Sequence, residues 1–83
     1  MQNFKSNHKA ITMDTIFTGL RKVMHDRSQA ALVAAGKIGS VEIKEGVSVM
    51  VYGTENNWTV QAAMTINGRI RFVAEAKCDS SDF

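Results

Sequence analysis

The sequence predicts an α+β domain: one N-terminal helix, with a break offered near residues 26–28, packed on a four-stranded antiparallel meander sheet. Two observations predict it. Apolar residues recur with a helical period over residues 13–36, and from residue 39 onward they alternate with polar ones. Helices gathered on one face of an antiparallel sheet are the layer arrangement that buries both patterns. At 83 residues the chain makes one domain with a small core. Its 45 % apolar and 22 % charged residues are an ordinary globular mixture, which excludes disorder of the whole chain.

Residues 1–11 show no periodicity and read as a flexible arm, in which Lys5, His8 and Lys9 are solvated and Phe4 and Ile11 offer anchors. The domain proper spans 12–78, and 79–83 form an acidic tail. In the helical segment Met13, Ile16, Phe17, Leu20, Val23, Met24, Ala31, Ala34 and Ala35 form one stripe. Thr12 suits the N-cap, Asp14 the first turn, and Gly36 the left-handed position past the end. Arg27 interrupts the stripe. Asp26 followed by Gln29 resembles a capping box, and Ser28 is a second candidate cap. The segment is therefore one helix with an inward arginine, or two helices broken near 26–28. Its second half is apolar all round, so Leu32 and Val33 need a cover: the arm, a second subunit or a partner.

In the sheet, Lys44-Glu45-Gly46 reads as a three-residue turn with a bulge, pairing Ile43 with Val47 and Val41 with Val49. A four-residue loop, 53–56, sets Val51 opposite Trp58. Asn67-Gly68 is a two-residue hairpin signal. That turn, however, would send Ile70, Phe72, Ala74 and Ala76 to solvent. Burial instead favours the three-residue loop Ile66-Asn67-Gly68, pairing Met64 with Ile70 and Ala62 with Phe72. The core face then carries Val41, Ile43, Val47, Val49, Val51, Trp58, Val60, Ala62, Met64, Ile70, Phe72 and Ala74. The outer face carries Met50, Tyr52, Thr59, Gln61, Ala63, Arg71, Val73, Glu75 and Lys77.

No set of residues announces catalysis. Cys78 has core parity and no histidine in a recognisable relation to it; His25 falls on the polar helix face. One cysteine and two histidines without ligand spacing do not make a zinc site, and the dispersed glycines form no phosphate loop. The expectation is a protein that is not an enzyme, with no catalytic residues, metal or cofactor. A single cysteine also excludes an internal disulfide. With no signal-like or membrane-spanning run, the expected compartment is the cytoplasm.

Ten cations against eight acids give a net charge of +2; with the tail removed, ten stand against six, a mildly basic body. Two function classes fit. The first is a small regulator or inhibitor, of a kind frequent among phage and mobile-element accessory proteins. It would act as a homodimer on a larger protein target through Arg27, Leu32, Val33, Met50, Tyr52 and Val73. The second is a single-stranded DNA or RNA binder using Tyr52, Arg69, Arg71 and Lys77 on the outer sheet face, with Lys5 and Lys9 helping. The five-residue tail Asp79-Ser80-Ser81-Asp82-Phe83 resembles the acidic tips through which single-stranded DNA-binding proteins recruit partners.

Overall fold

A computed structural model describes residues 5–6, 11–54 and 56–82, the side chains of Lys5, Ser6 and Phe72 excepted. The expectations for Phe4, His8, Lys9, Glu55, Phe83 and the Phe72 side chain lie outside these residues. The elements are β1 (Lys5–Ser6), α1 (Met13–His25), α2 (Arg27–Ala34), β2 (Gly39–Lys44), β3 (Val47–Thr54), β4 (Asn57–Ile66) and β5 (Arg69–Cys78), followed by a 3₁₀ turn over Ser80–Asp82. The sheet is antiparallel in the order β1-β5-β4-β3-β2. Both helices pack on one face of it, α1 over β2, β3 and β4 and α2 over β2 and β3. This is the α+β arrangement of a helical layer on an antiparallel meander. The addition to it is β1: Lys5 and Ser6, expected in the arm, pair with Glu75 and Ala74 on the edge of β5.

Helix α1 starts where its cap chemistry places it. The Thr12 hydroxyl accepts from the Thr15 amide at 3.4 Å, and the Thr15 hydroxyl accepts from the Thr12 amide at 3.3 Å, a reciprocal cap. Ile16, Leu20 and Val23 are buried from this helix, and Ile11 ahead of it joins the core. Gly19 lies on the same stripe, and a Cβ there would fall inside the side chain of Val49. The missing side chain lets α1 approach β3 closely.

The helix breaks at Asp26, which is in extended conformation. Its amide donates to the Lys22 carbonyl at 3.1 Å, closing α1. Its carboxylate accepts from the amides of Ser28 at 2.9 Å and Gln29 at 3.1 Å, opening α2. One residue thus caps two helices. The break resolves the inward arginine: Arg27 starts a new helix and is exposed. Gln29 does not close a capping box; its side-chain oxygen accepts from the Ser40 amide at 2.7 Å and ties α2 to β2. At the far end the Lys37 amide donates to the Leu32 carbonyl at 2.8 Å and the Gly36 amide to the Val33 carbonyl at 3.0 Å. With Gly36 at φ 78° this is a Schellman stop.

The strand registers agree with the sequence in some places and correct it in others. Val41 is opposite Val49, as expected, and the β2–β3 pairing shifts next to the turn, where Gly46 has φ 75°. The shift places Val47 opposite Lys44 instead of Ile43. In the β3–β4 hairpin Val51 is opposite Val60, and Trp58 is opposite Gly53. Thr54 pairs with Asn57, so the connection is two residues rather than four. A shift of two residues preserves which face each side chain takes, so the apolar pattern could not register it.

The β4–β5 hairpin is the larger correction. The turn is the two-residue Asn67-Gly68, both at positive φ, 52° and 75°, and Ile66 pairs with Arg69. Ile70 is therefore opposite Thr65 on the outer face and 72 % exposed, not in the core. The extra residue that burial demands sits inside the strand: Phe72 is opposite Ala63 and Ala74 opposite Ala62, leaving Val73 as a bulge. Beyond it Ala74, Ala76 and Cys78 return to the core face as expected.

Candidate functional site

The residues expected to form one partner surface are distributed over three places. Arg27 and Leu32 are exposed on α2, Leu32 at 38 %. Val33, expected to be uncovered, is a core residue at 5 % exposure. The turn at Asp26 aims α2 so that Val33 packs over Gly39. A Cβ on Gly39 would lie 2.9 Å from Val33, 2.9 Å from Val23 and 2.8 Å from the Gln29 carbonyl. Met50 and Tyr52 are half-buried on the opposite face of the sheet. Val73, expected on that outer surface, is buried at the bulge.

The four residues of the nucleic-acid reading do not share a face. Tyr52, Thr59 and Lys77 form one cross-strand row on the outer face, and the Lys77 ammonium donates to the Thr59 hydroxyl at 2.5 Å. Arg71 is opposite Met64, which is opposite the core residue Val47, so Arg71 lies on the helix side of the sheet. Arg69, two residues earlier and opposite Ile66, shares that side. The next outer row is Met50, Gln61 and Glu75, with the Gln61 amide donating to the Glu75 carboxylate at 3.0 Å. Among the described side chains, these two rows offer one aromatic, Tyr52, and one cation, Lys77, already engaged with a neighbour, beside the Glu75 carboxylate.

Around α2 the surface is of a different kind. Ala31, Leu32 and Ala35 are exposed, and Ile38, in the link to β2, is 55 % exposed. The same stretch of chain carries exposed Arg27 and Lys37; on α1 Arg21 and Lys22 are exposed as well, with the Arg21 guanidinium 5.9 Å from the centre of the Phe17 ring. The nearby carboxylate of Asp26 is engaged with two amides. Ile38 escaped sequence reasoning; the signal for it was an apolar residue in a short link bounded by glycines at 36 and 39.

On the other side of α2 lies an open pocket of about 570 Å³. Ala30, Val33 and Ala34 of α2 line it together with Met24 of α1. The β3–β4 hairpin contributes Thr54 and Trp58, and the C-terminal turn contributes Ser80. Among the described residues that line it, none has an ionisable side chain. The C-terminal turn is held in place by its own polar groups. The Asp79 carboxylate accepts from the Ser81 hydroxyl at 2.5 Å and the Ser81 amide at 2.9 Å, which holds its pKa below the usual carboxylate value. The Ser80 hydroxyl donates to the Asn56 side-chain oxygen.

Cys78 is 5 % exposed, and burial, followed by the nearby Asp82 and Asp79, pushes its thiol up to about 11. That is the opposite of what a nucleophile needs. His25 is exposed on α1. Among the described residues no group of three histidine, cysteine or acidic side chains is placed to hold a metal ion, and no helix is long and apolar enough to cross a membrane. The chain matches no protein-family model, no curated protein and no solved structure.

Proposed function

We propose that this chain is a small non-enzymatic interaction protein, a regulator or inhibitor that occupies the surface of a larger protein target and does so as a homodimer. The supporting observation is the surface of α2 and its exit, where Leu32 and Ile38 stay exposed beside Ala31 and Ala35. A chain this small has few apolar side chains to spare for solvent, and a contiguous apolar patch rimmed by polar groups is the usual mark of an interface. At the edge of that surface Arg27 and Lys37 stay exposed, and they favour an acidic border on the larger target. The cytoplasm is the proposed compartment, because a lone cysteine stays reduced there.

Sedimentation equilibrium of the wild type against the Leu32→Asp, Ile38→Asp double variant tests the dimer. The expected result is a wild-type dimer at tens of micromolar and a monomeric variant with an unchanged melting curve. A wild type that stays monomeric at high micromolar concentration overturns the homodimer. Affinity capture with both proteins tests the target: a protein held by the wild type and lost from the variant supports the α2 surface. Equal recovery by both places the contact elsewhere.

A further inference from the structure

We propose that the pocket between α2 and the β3–β4 hairpin is a binding site for a small, neutral aromatic molecule that carries one hydrogen-bond donor. Its volume, about 570 Å³, lies within the range of about 300–1,000 Å³ usual for small-molecule sites. The space exists because α2 presents Ala30 and Ala34 there, four residues apart on one helix face, where longer side chains would fill it. Trp58 and Met24 contribute an indole and a thioether to the walls, and both groups pack favourably against aromatic rings.

The polarity of the walls sets the ligand's charge. The described lining residues, Met24, Ala30, Val33, Ala34, Thr54, Trp58 and Ser80 among them, carry no ionisable side chain, so a charged ligand would give up hydration and gain no counter-charge from them. The hydrogen-bond direction follows from Ser80. Its hydroxyl proton is directed to the Asn56 side-chain oxygen, so the Ser80 oxygen is left to accept. A phenol O–H or an indole-type N–H meets that requirement; an ether or a carbonyl does not. This site lies on a different side of α2 from Leu32, since positions 30 and 34 lie well over a quarter turn around the helix from position 32.

The chain has one tryptophan, so the Trp58 indole gives a single side-chain cross-peak in a ¹⁵N–¹H NMR spectrum. Titrations with 2-naphthol, naphthalene and 2-naphthoate read the proposal directly. 2-Naphthol is expected to move that peak saturably and to bind at least about ten-fold tighter than the anionic naphthoate, because the anion is desolvated without a partner. It should also bind about three- to ten-fold tighter than naphthalene, the worth of one hydrogen bond. Ser80→Ala removes the second preference and leaves the first. Ala34→Phe fills the pocket and abolishes the shift, while Leu32→Asp leaves the titration unchanged. An indole peak that stays still up to the solubility of 2-naphthol overturns the site, as does naphthoate binding as tightly as naphthol. If Ala34→Phe does not fold, the three-ligand series on the wild type and on Ser80→Ala still decides.

Discussion

Arg71 and Lys77, six residues apart on β5, lie on opposite faces of the sheet: Arg71 is opposite Met64 on the helix side, and Lys77 is opposite Thr59 on the outer side. An even separation along a regular strand keeps two side chains on one face. The bulge at Val73 inserts the extra residue that separates them. It moves Arg69 and Arg71 off the outer face and puts Ile70 there in their place, while Ala74, Ala76 and Cys78 stay in the core.

The two sides of that bulge should respond differently to substitution. Ile70→Thr, at a position 72 % exposed, is expected to change stability by no more than about 0.5 kcal/mol. Ala76→Lys, at a fully buried position, should lower it by several-fold more or prevent folding. Urea unfolding measures both. A loss above about 2 kcal/mol for Ile70→Thr would return Ile70 to the core and remove the bulge from its place.

Gly19 is a contact residue in the guise of a helix interior glycine. Replacing glycine by alanine in a helix ordinarily adds stability of about 1 kcal/mol. Here the new methyl would meet the side chain of Val49, which is fully buried, so Gly19→Ala is expected to destabilise by about 1–3 kcal/mol. A stabilised Gly19→Ala protein in a thermal melt would show that α1 does not approach β3 this closely.

Asp26 carries two helix ends with one side chain and one amide. Asp26→Ala leaves the Ser28 and Gln29 amides without their acceptor and is expected to cost about 1–2 kcal/mol. Asp26→Asn caps nearly as well and should cost a few tenths of that order. If the two variants unfold at the same urea concentration, the cap contributes nothing and the break has another cause.

Cys78 sets a pH dependence with a definite sign. Its thiol titrates near 9 when unfolded and about 11 in the fold. Between those values the unfolded chain has lost the proton and the folded chain retains it, so stability is fully present below about pH 9 and falls as pH rises toward about 11. Cys78→Ala should remove this part of the alkaline slope. At pH 8 the native thiol should react with iodoacetamide about 100-fold more slowly than the unfolded one, from the thiolate fraction alone. Equal rates would mean that Cys78 is not held in the core.

Much of the fold is legible in local chemistry. Thr12 as a cap, Gly36 as a stop, the stripe through Ile16, Leu20 and Val23, and the pairing of Val41 with Val49 all follow from residues a few positions apart. The cap at Asp26 was legible as well, though only as one of two alternatives, because a single helix and a broken one satisfy the same stripe.

The sequence by itself determined the class of fold, the order of the elements from α1 to β5, and most of the side chains that face the core, because these depend on hydrophobic period and on turn and cap residues. Tertiary structure alone decided where the β3–β4 and β4–β5 registers settle. Pairing Val51 with Val60 instead of Trp58 leaves every face unchanged, and an extra residue in β5 satisfies burial whether it sits in the turn or at Val73. It also decided that Val33 is covered while Leu32 is not, since that depends on the direction α2 takes after Asp26. The pocket left no mark on the sequence: it is the space between small residues of α2, one edge of a hairpin and the last turn, and only packing brings those segments together.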